Sequence, residues 1–318
     1  MARIGYHISH EQFAPSHLLR LLRKAQAAGF SCANSSDHFH PWSERQGQSG
    51  FAWAWLGAAM EHSTLPLGLI TAPGYRYHPA VVAQGAATLA EMYPGRFTLA
   101  LGSGEAINEA ITGEAWPEKD ERNERLRECA EIIRNLLAGE EVTHRGRVTV
   151  IGAKLYSRPA VPVPIFGAAL SPESAAFVGG WADGLLTVGG KPSEVKEVIR
   201  AFNEAGGAGK PVHIQHGLCW AQTEADAMAE AMHQWAPLAV GGDVLAELRK
   251  PADFDHTARL VSEEMMREAA SVSADISFHI DRIAALAELA DTVLLHQIGR
   301  NQEEFIDLFG ARALPHLH

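Results

Sequence analysis

The chain has 318 residues, 47% hydrophobic and 20% charged, with a formal net charge of −11. This composition allows a sizeable globular core, and the length fits one large barrel or two ordinary domains. The acidic balance and the absence of any Lys/Arg run exclude nucleic acid as an expected partner, because binding a polyanion needs a concentrated basic face.

Short apolar runs alternate with amphipathic stretches. Ile4–Tyr6 reads as a first strand, followed by a helix over Pro15–Ala28 in which Leu18, Leu19, Leu22 and Ala25 recur at helical spacing. Phe30–Ser35 and Phe51–Glu61 give the next strand and helix. Leu67–Thr71 precedes a helix from Pro79 to Glu91, whose leading proline pre-sets φ where no donor is needed. After the turn Tyr93-Pro94-Gly95-Arg96 comes the strand Phe97–Leu101. The rhythm then breaks. Asp120–Leu137 is a charged amphipathic helix, and Val142–Tyr156, with His144-Arg145-Gly146-Arg147 at its tip, reads as a hairpin insertion. Alternation resumes with Ile165–Ala169, a helix from Pro172, Gly184–Val188, a helix from Pro192, Val212–Leu218 and a helix from Glu224. A helical insertion over Val244–Ala270 precedes the last unit: Asp275–Leu289, Thr292–His296 and Glu303–Phe309.

About eight strands alternating with helices point to a (β/α)₈ TIM barrel of the α/β class. A doubly wound sheet would want a Gly-x-Gly-x-x-Gly turn after its first strand, and Ile4–Ser9 has none. One domain over 1–318 is expected, with insertions near 105–160 and 240–275. Cys32, Cys129 and Cys219 are far apart, and their odd number excludes a complete disulfide framework. The N-terminus has no apolar signal core and no run of about 18 apolar residues is present, so a cytoplasmic protein without a membrane partner is expected.

Barrel active sites lie where strands end and lead into helices. Those ends carry Ser36-Asp37-His38-Phe39-His40-Pro41-Trp42, then Ala72-Pro73-Gly74-Tyr75-Arg76-Tyr77-His78, then Gly102-Ser103-Gly104-Glu105-Ala106-Ile107-Asn108, and later Leu170-Ser171-Pro172 and Gly189-Gly190-Lys191. His38 suits a general base, with Asp37 or a backbone carbonyl fixing its tautomer; a structural rim histidine is the plainer alternative. Trp42 would wall an aromatic ligand or simply pack. Glu105, at a helix start, would hydrogen-bond a cofactor ring or only complement the helix dipole. Ser171-Pro172 is a candidate phosphate cradle and equally an ordinary N-cap. His38-x-His40 also has the spacing of a divalent-metal pair in a barrel hydrolase. That reading needs further His and a carboxylate at later strand ends, which offer only His216 and His296, so no metal is expected.

The segments Ser36–Trp42, Tyr77-His78-Pro79-Ala80-Val81-Val82-Ala83-Gln84, Tyr93–Arg96 and Gly102–Glu109 resemble the bacterial luciferase-like superfamily. Within it they resemble the branch of coenzyme F420-dependent glucose-6-phosphate dehydrogenases. The likeness runs from Ile4 to about Val188 and returns in Trp235–Leu238 and Asp291–Phe309. The resemblance implies His38 as catalytic base, Glu105 as the acid near the ring and Trp42 as a shaper of the catalytic and substrate pocket. It also implies cofactor contacts from Asp37, Ile70, Thr71, Ser103, Gly104, Asn108, Ala169, Leu170 and Ser171. Lys191 matches a substrate-binding lysine, but Val188 falls where the sugar-phosphate enzymes have threonine, and other cationic positions fall near His256 and Ala269. Glucose 6-phosphate is therefore not expected. Leu170-Ser171 replaces Gly-Gly before the tail-binding helix, which fits a subgroup reverted to FMN. FMN is the expected cofactor and F420 the alternative. The family also tends to carry a non-prolyl cis peptide behind the ring, at Leu69-Ile70-Thr71-Ala72.

The expected activity is hydride transfer between a small organic substrate and the cofactor, in a homodimer. One alternative is a two-component FMN monooxygenase fed by a flavin reductase. Another is a flavin-binding barrel without catalysis, against which the joint presence of His38, Trp42 and Glu105 argues.

Overall fold

The computed structural model describes residues 2–317. The apolar runs Leu67–Thr71 and Phe97–Leu101 are strands at the bounds read from the sequence, buried almost throughout. Such runs suit a parallel sheet with helices on one face and a filled interior on the other. In chain order the strands are β1 Arg3–Ile8, β2 Cys32–Ser35, β3 Leu67–Thr71, β4 Phe97–Leu101, β5 Val142–Arg145, β6 Thr149–Ala153, β7 Ile165–Ala168, β8 Gly184–Gly189, β9 Val212–Trp220, β10 Ser271–Ser273 and β11 Thr292–Gln297. Eight of them pair in parallel in the order β9-β11-β1-β2-β3-β4-β7-β8, and β8 pairs back with β9. The sheet closes into a (β/α)₈ barrel.

Proline opens the helices Pro15–Ala28, Pro79–Met92, Pro172–Gly179 and Pro192–Phe202, and αL Gly29 ends the first of them. Their apolar faces meet the outer side of the sheet in the largest core cluster, which includes Leu18, Leu22, Val82, Ala86, Leu99 and Ile306. Inside the barrel, Cys32, Ala100, Phe166, Leu186 and Leu294 pack with the half-buried Ile70. Gly5 belongs to this layer, since a Cβ there would lie 2.7 Å from both Cys32 Sγ and a Leu294 methyl. A polar layer lies one inward position further along the strands. His7 Nδ1 is 3.0 Å from Asn34 Oδ1, and Asn34 Nδ2 donates to Gln215 Oε1 at 3.5 Å.

The hairpin insertion is the antiparallel pair β5–β6. The second insertion forms the helices Pro251–Thr257 and Glu263–Ala269 and leads into β10, a short strand unforeseen in the sequence that adds to the end of β9. Three contacts hold this insertion over the rim: Ala106 N donates to Ala246 O at 3.0 Å, Arg122 pairs with Glu247 at 3.0 Å, and Phe254 is fully buried. All peptide bonds among the described residues are trans, those of Leu69–Ala72 included. No helix among these residues is long and apolar enough to cross a membrane.

Candidate active site

The loops after β1, β2 and β4 bring Glu11, His38 and Glu105 together at the C-terminal rim. His38 sits between the two carboxylates, with Nδ1 3.6 Å from Glu11 Oε1 and Nε2 3.8 Å from Glu105 Oε2. Its side chain is 15% exposed, against 3% for Glu11 and 32% for Glu105. Trp42 meets the imidazole edge-on at 4.7 Å between ring centroids and rests on Phe254 at 5.3 Å.

Both carboxylates are tuned. Burial pushes Glu11 up, but His38 and hydrogen bonding outweigh it, and the carboxyl lies below its usual range. Ser9 Oγ also donates to Glu11 Oε2 at 2.8 Å. Burial in the cleft raises Glu105; His38 opposes this and the Glu11 charge adds to it. An anion therefore stands behind the imidazole, and a carboxyl that holds its proton more tightly stands in front. A proton on Nδ1 faces Glu11, which leaves the Nε2 lone pair toward the cleft.

Glu11 was missed in the sequence. Its signal was Ser9-His10-Glu11 directly after β1, a strand end left out of the rim inventory.

Three residues expected to touch a cofactor are buried, with their side chains hydrogen-bonded within the protein. The Asp37 side chain is 0% exposed, and its oxygens accept from Thr71 Oγ1 at 2.7 Å and Tyr77 OH at 3.1 Å. Thr71 is spent on that bond and buried. Asn108 is buried too; its Oδ1 accepts from Phe39 N at 2.9 Å, and its Nδ2 donates to Glu105 Oε2 at 3.5 Å. These side chains hold the loops that carry His38 and Glu105. The reason is chemical: Asp37 and Asn108 are the acceptors that the backbone and hydroxyl donors around them require.

The ends of β3, β4 and β7 leave a shelf almost free of side chains. Ile70 packs into the barrel interior, and a Cβ on Gly102 would find nothing nearer than 3.7 Å. Gly104 has φ +83°, and a Cβ there would strike Glu109 Cγ at 2.9 Å, so glycine is required at this turn. Ser103 is half-buried and receives Lys119 Nζ at 3.4 Å. Ser171 caps the helix Pro172–Gly179, accepting from Ser174 N at 3.3 Å; Ala169 is buried and Leu170 is 66% exposed.

Two expected residues lie apart from His38. Lys191 pairs with Glu194 at 3.8 Å and borders a crevice of about 410 Å³ whose walls include His216, Arg267 and Arg282 but not His38, Trp42 or Glu105. His40 turns its Nδ1 to the Ile107 carbonyl at 2.7 Å. Among the described residues no group of three or more His, Cys, Asp or Glu is placed to hold a metal.

A parallel barrel whose C-terminal rim carries an imidazole between two carboxylates, beside an indole, has the make-up of an acid–base site. The luciferase-like monooxygenase family model matches residues 1–292. The F420-dependent glucose-6-phosphate dehydrogenase of Microbacterium testaceum is 36% identical over 330 aligned residues, covering 99% of this chain and 97% of that protein. The enzyme of the same name from Mycolicibacterium smegmatis is 32% identical, covering 99% and 98%. A solved F420-dependent secondary alcohol dehydrogenase, in complex with an F420-acetone adduct, superposes with a TM-score of 0.92 at 30% identity, covering 100% of this chain and 99% of that one. The F420-dependent tetrahydromethanopterin reductase of Methanopyrus kandleri shares the fold at 24% identity and a TM-score of 0.78. The chain belongs to the luciferase-like family, in which it is an oxidoreductase.

Proposed function

We propose that this oxidoreductase is an F420-dependent dehydrogenase that oxidises the carbinol of a small, unphosphorylated alcohol to a carbonyl. The observation that carries the reading is the placement of His38 Nε2 opposite Glu105, with Glu11 behind and Trp42 above. The relatives named for F420 weigh this cofactor above the FMN expected from Leu170-Ser171. Val188, half exposed at the end of β8, offers a substrate an isopropyl group and no hydrogen bond.

When bound, the deazaflavin supplies a hydride acceptor. The protein's part is acid–base work and positioning. His38 Nε2 takes the hydroxyl proton as the carbinol hydride leaves, and the Glu11 carboxylate stabilises the imidazolium that results. Glu105 holds a proton at the ring edge, which the raised affinity of its carboxyl favours. Trp42 covers the substrate and keeps water from the reacting carbon. Gly102 and the residues around it, Ile70, Ser103, Gly104, Ala169, Leu170 and Ser171, form the cofactor's side of the cleft. Lys191 is assigned no role in this reaction.

The test is a fluorescence titration of the purified protein with F420 and FMN, followed by F420 reduction with propan-2-ol, glucose and glucose 6-phosphate. F420 binding and turnover of an unphosphorylated alcohol are expected. His38→Ala should keep cofactor binding and lose kcat by about 10²–10⁴-fold. Binding of FMN alone, with oxygen uptake in the presence of a flavin reductase, would replace the dehydrogenase with a monooxygenase.

A further inference from the structure

Behind the cleft lies a buried ionic group that the proton transfers above do not use. Arg76, in the loop after β3, has its guanidinium between two carboxylates. Its side chain is 8% exposed, against 0% for Asp37 and 1% for Glu109. Arg76 Nη2 donates to the Asp37 carbonyl at 2.7 Å and lies 3.5 Å from Asp37 Oδ2; Nε lies 3.8 Å from Glu109 Oε1. The backbone N–H of Arg76 donates to Glu109 Oε2 at 3.0 Å.

The positions of the two acids in the chain give this group its meaning. Asp37 is the residue before His38, so the carbonyl that Arg76 holds belongs to the peptide leading into the base. Glu109 ends the short helix Ala106–Glu109, which begins directly after Glu105. One guanidinium thus ties the segment bearing His38 to the segment bearing Glu105.

We propose that Arg76 is a positioning residue whose pairing with ionised Glu109 sets the spacing between His38 and Glu105. The inference rests on the dehydrogenase reading for its rate measurements but not for its measurement on the free protein. The groups facing Arg76 are Asp37 from the loop after β2, Tyr77 from its own loop, with its ring 4.4 Å from the guanidinium, and Glu109 from the segment after β4, whose charge Glu105 opposes. Thr71 of β3 contributes only a neutral hydroxyl to Asp37. Arg125, from the helix Lys119–Ala138, reaches the same loop at the Gly74 carbonyl, 2.9 Å away. Burial pushes the Glu109 carboxyl up to about 7, against the pull of Arg76, so its charge changes near neutrality. Glu109→Gln mimics the protonated state in the same volume.

The experiment compares wild type, E109Q and R76K in the full chain. Carbethoxylation of His38 by diethyl pyrocarbonate is first followed in protein without cofactor, using H38N to subtract the other histidines. The rate at pH 8 is expected to change at least threefold in E109Q and to stay near wild type at pH 6. Turnover should follow the same pattern: kcat of E109Q falls about tenfold at pH 8 and converges on wild type at pH 6, with KM and F420 affinity nearly unchanged. R76K, which keeps the charge and loses the fork, should recover only part of kcat. An equal loss at both pH values would make the triad a structural brace and overturn the proposal, as would an unchanged rate of His38 modification. If wild type binds no F420, the dehydrogenase reading fails, while the modification rates still decide the role of Arg76 and Glu109.

Discussion

Glu11 and Glu109 are both buried carboxylates near the rim, yet their surroundings drive them in opposite directions. Glu11 is held below its usual range by His38, whereas Glu109 is pushed to about 7 by burial. Replacing Glu11 with Gln keeps its volume and removes the charge facing the imidazole. An interaction of this kind, about 3.6 Å away and partly screened, is worth some 1–3 kcal/mol in the transition state. We expect E11Q to lose kcat about ten- to hundredfold with little change in KM, measured by steady-state kinetics.

For Glu109 the prediction concerns stability. Its folded pKa lies above the value of an unfolded glutamate, so the native state binds this proton more tightly than the unfolded chain does. The resulting stability is fully present below about pH 4.5 and is lost as pH rises to about 7. The difference corresponds to about 3 kcal/mol. E109Q should therefore melt above wild type at pH 8, with the gap closing near pH 5. Equal melting curves at pH 8 would mean that the ion pair with Arg76 offsets the cost of burying the charge.

At the scale of elements, the barrel strands and most of the helices were legible in the sequence because each carries its own period and its own stop signals. Pro79, Pro172 and Pro192 open helices where expected, and the hairpin around His144–Arg147 is present. What stayed hidden depends on partners distant in sequence. β10 has only three residues, and pairing with β9 is what makes it a strand. Phe254 looks like any aromatic residue of a helical insertion until the fold lays it against Trp42. Asp37, Thr71 and Asn108 were recognisable as important, but only the packed loops reveal that their side chains are hydrogen-bonded among themselves and their neighbours. Phe254→Ala removes the support beneath the indole while leaving the barrel whole. We expect KM to rise more than kcat falls, and limited proteolysis to cut within 241–260 before the barrel unfolds. Proteolysis at the wild-type rate would show that Ile107 and Leu245 hold the insertion without it.

An apolar crevice lies on the outside of the barrel. Of Phe51, Trp53 and Trp55, which alternate along the sequence, the first two line one crevice and the third turns into the core. Trp55 is buried and donates to the Pro15 carbonyl, and Trp53 packs on Phe97. Phe51 is 58% exposed beside Val81 and Met92, along a crevice of about 390 Å³ between the helices Ala52–His62 and Pro79–Met92. Monomers seldom leave such surface uncovered, and a second copy of the chain suits it. Sedimentation should give a dimer at micromolar concentration and a monomer for Val81→Glu. A wild-type monomer would leave the face for another partner.

Closure of the barrel has a consequence for synthesis. Thr292–Gln297 is the strand that lies between β1 and β9, so until the ribosome has released it the nascent chain carries two open sheet edges. Unpaired edges are templates for misassociation. The helix Gln302–Arg312, which covers Phe30 from outside through Phe305, is made later still. The first strand to be made is thus among the last to be covered on both sides, and a chaperone that shelters the emerging N-terminal half would have to wait for the final turn of the barrel.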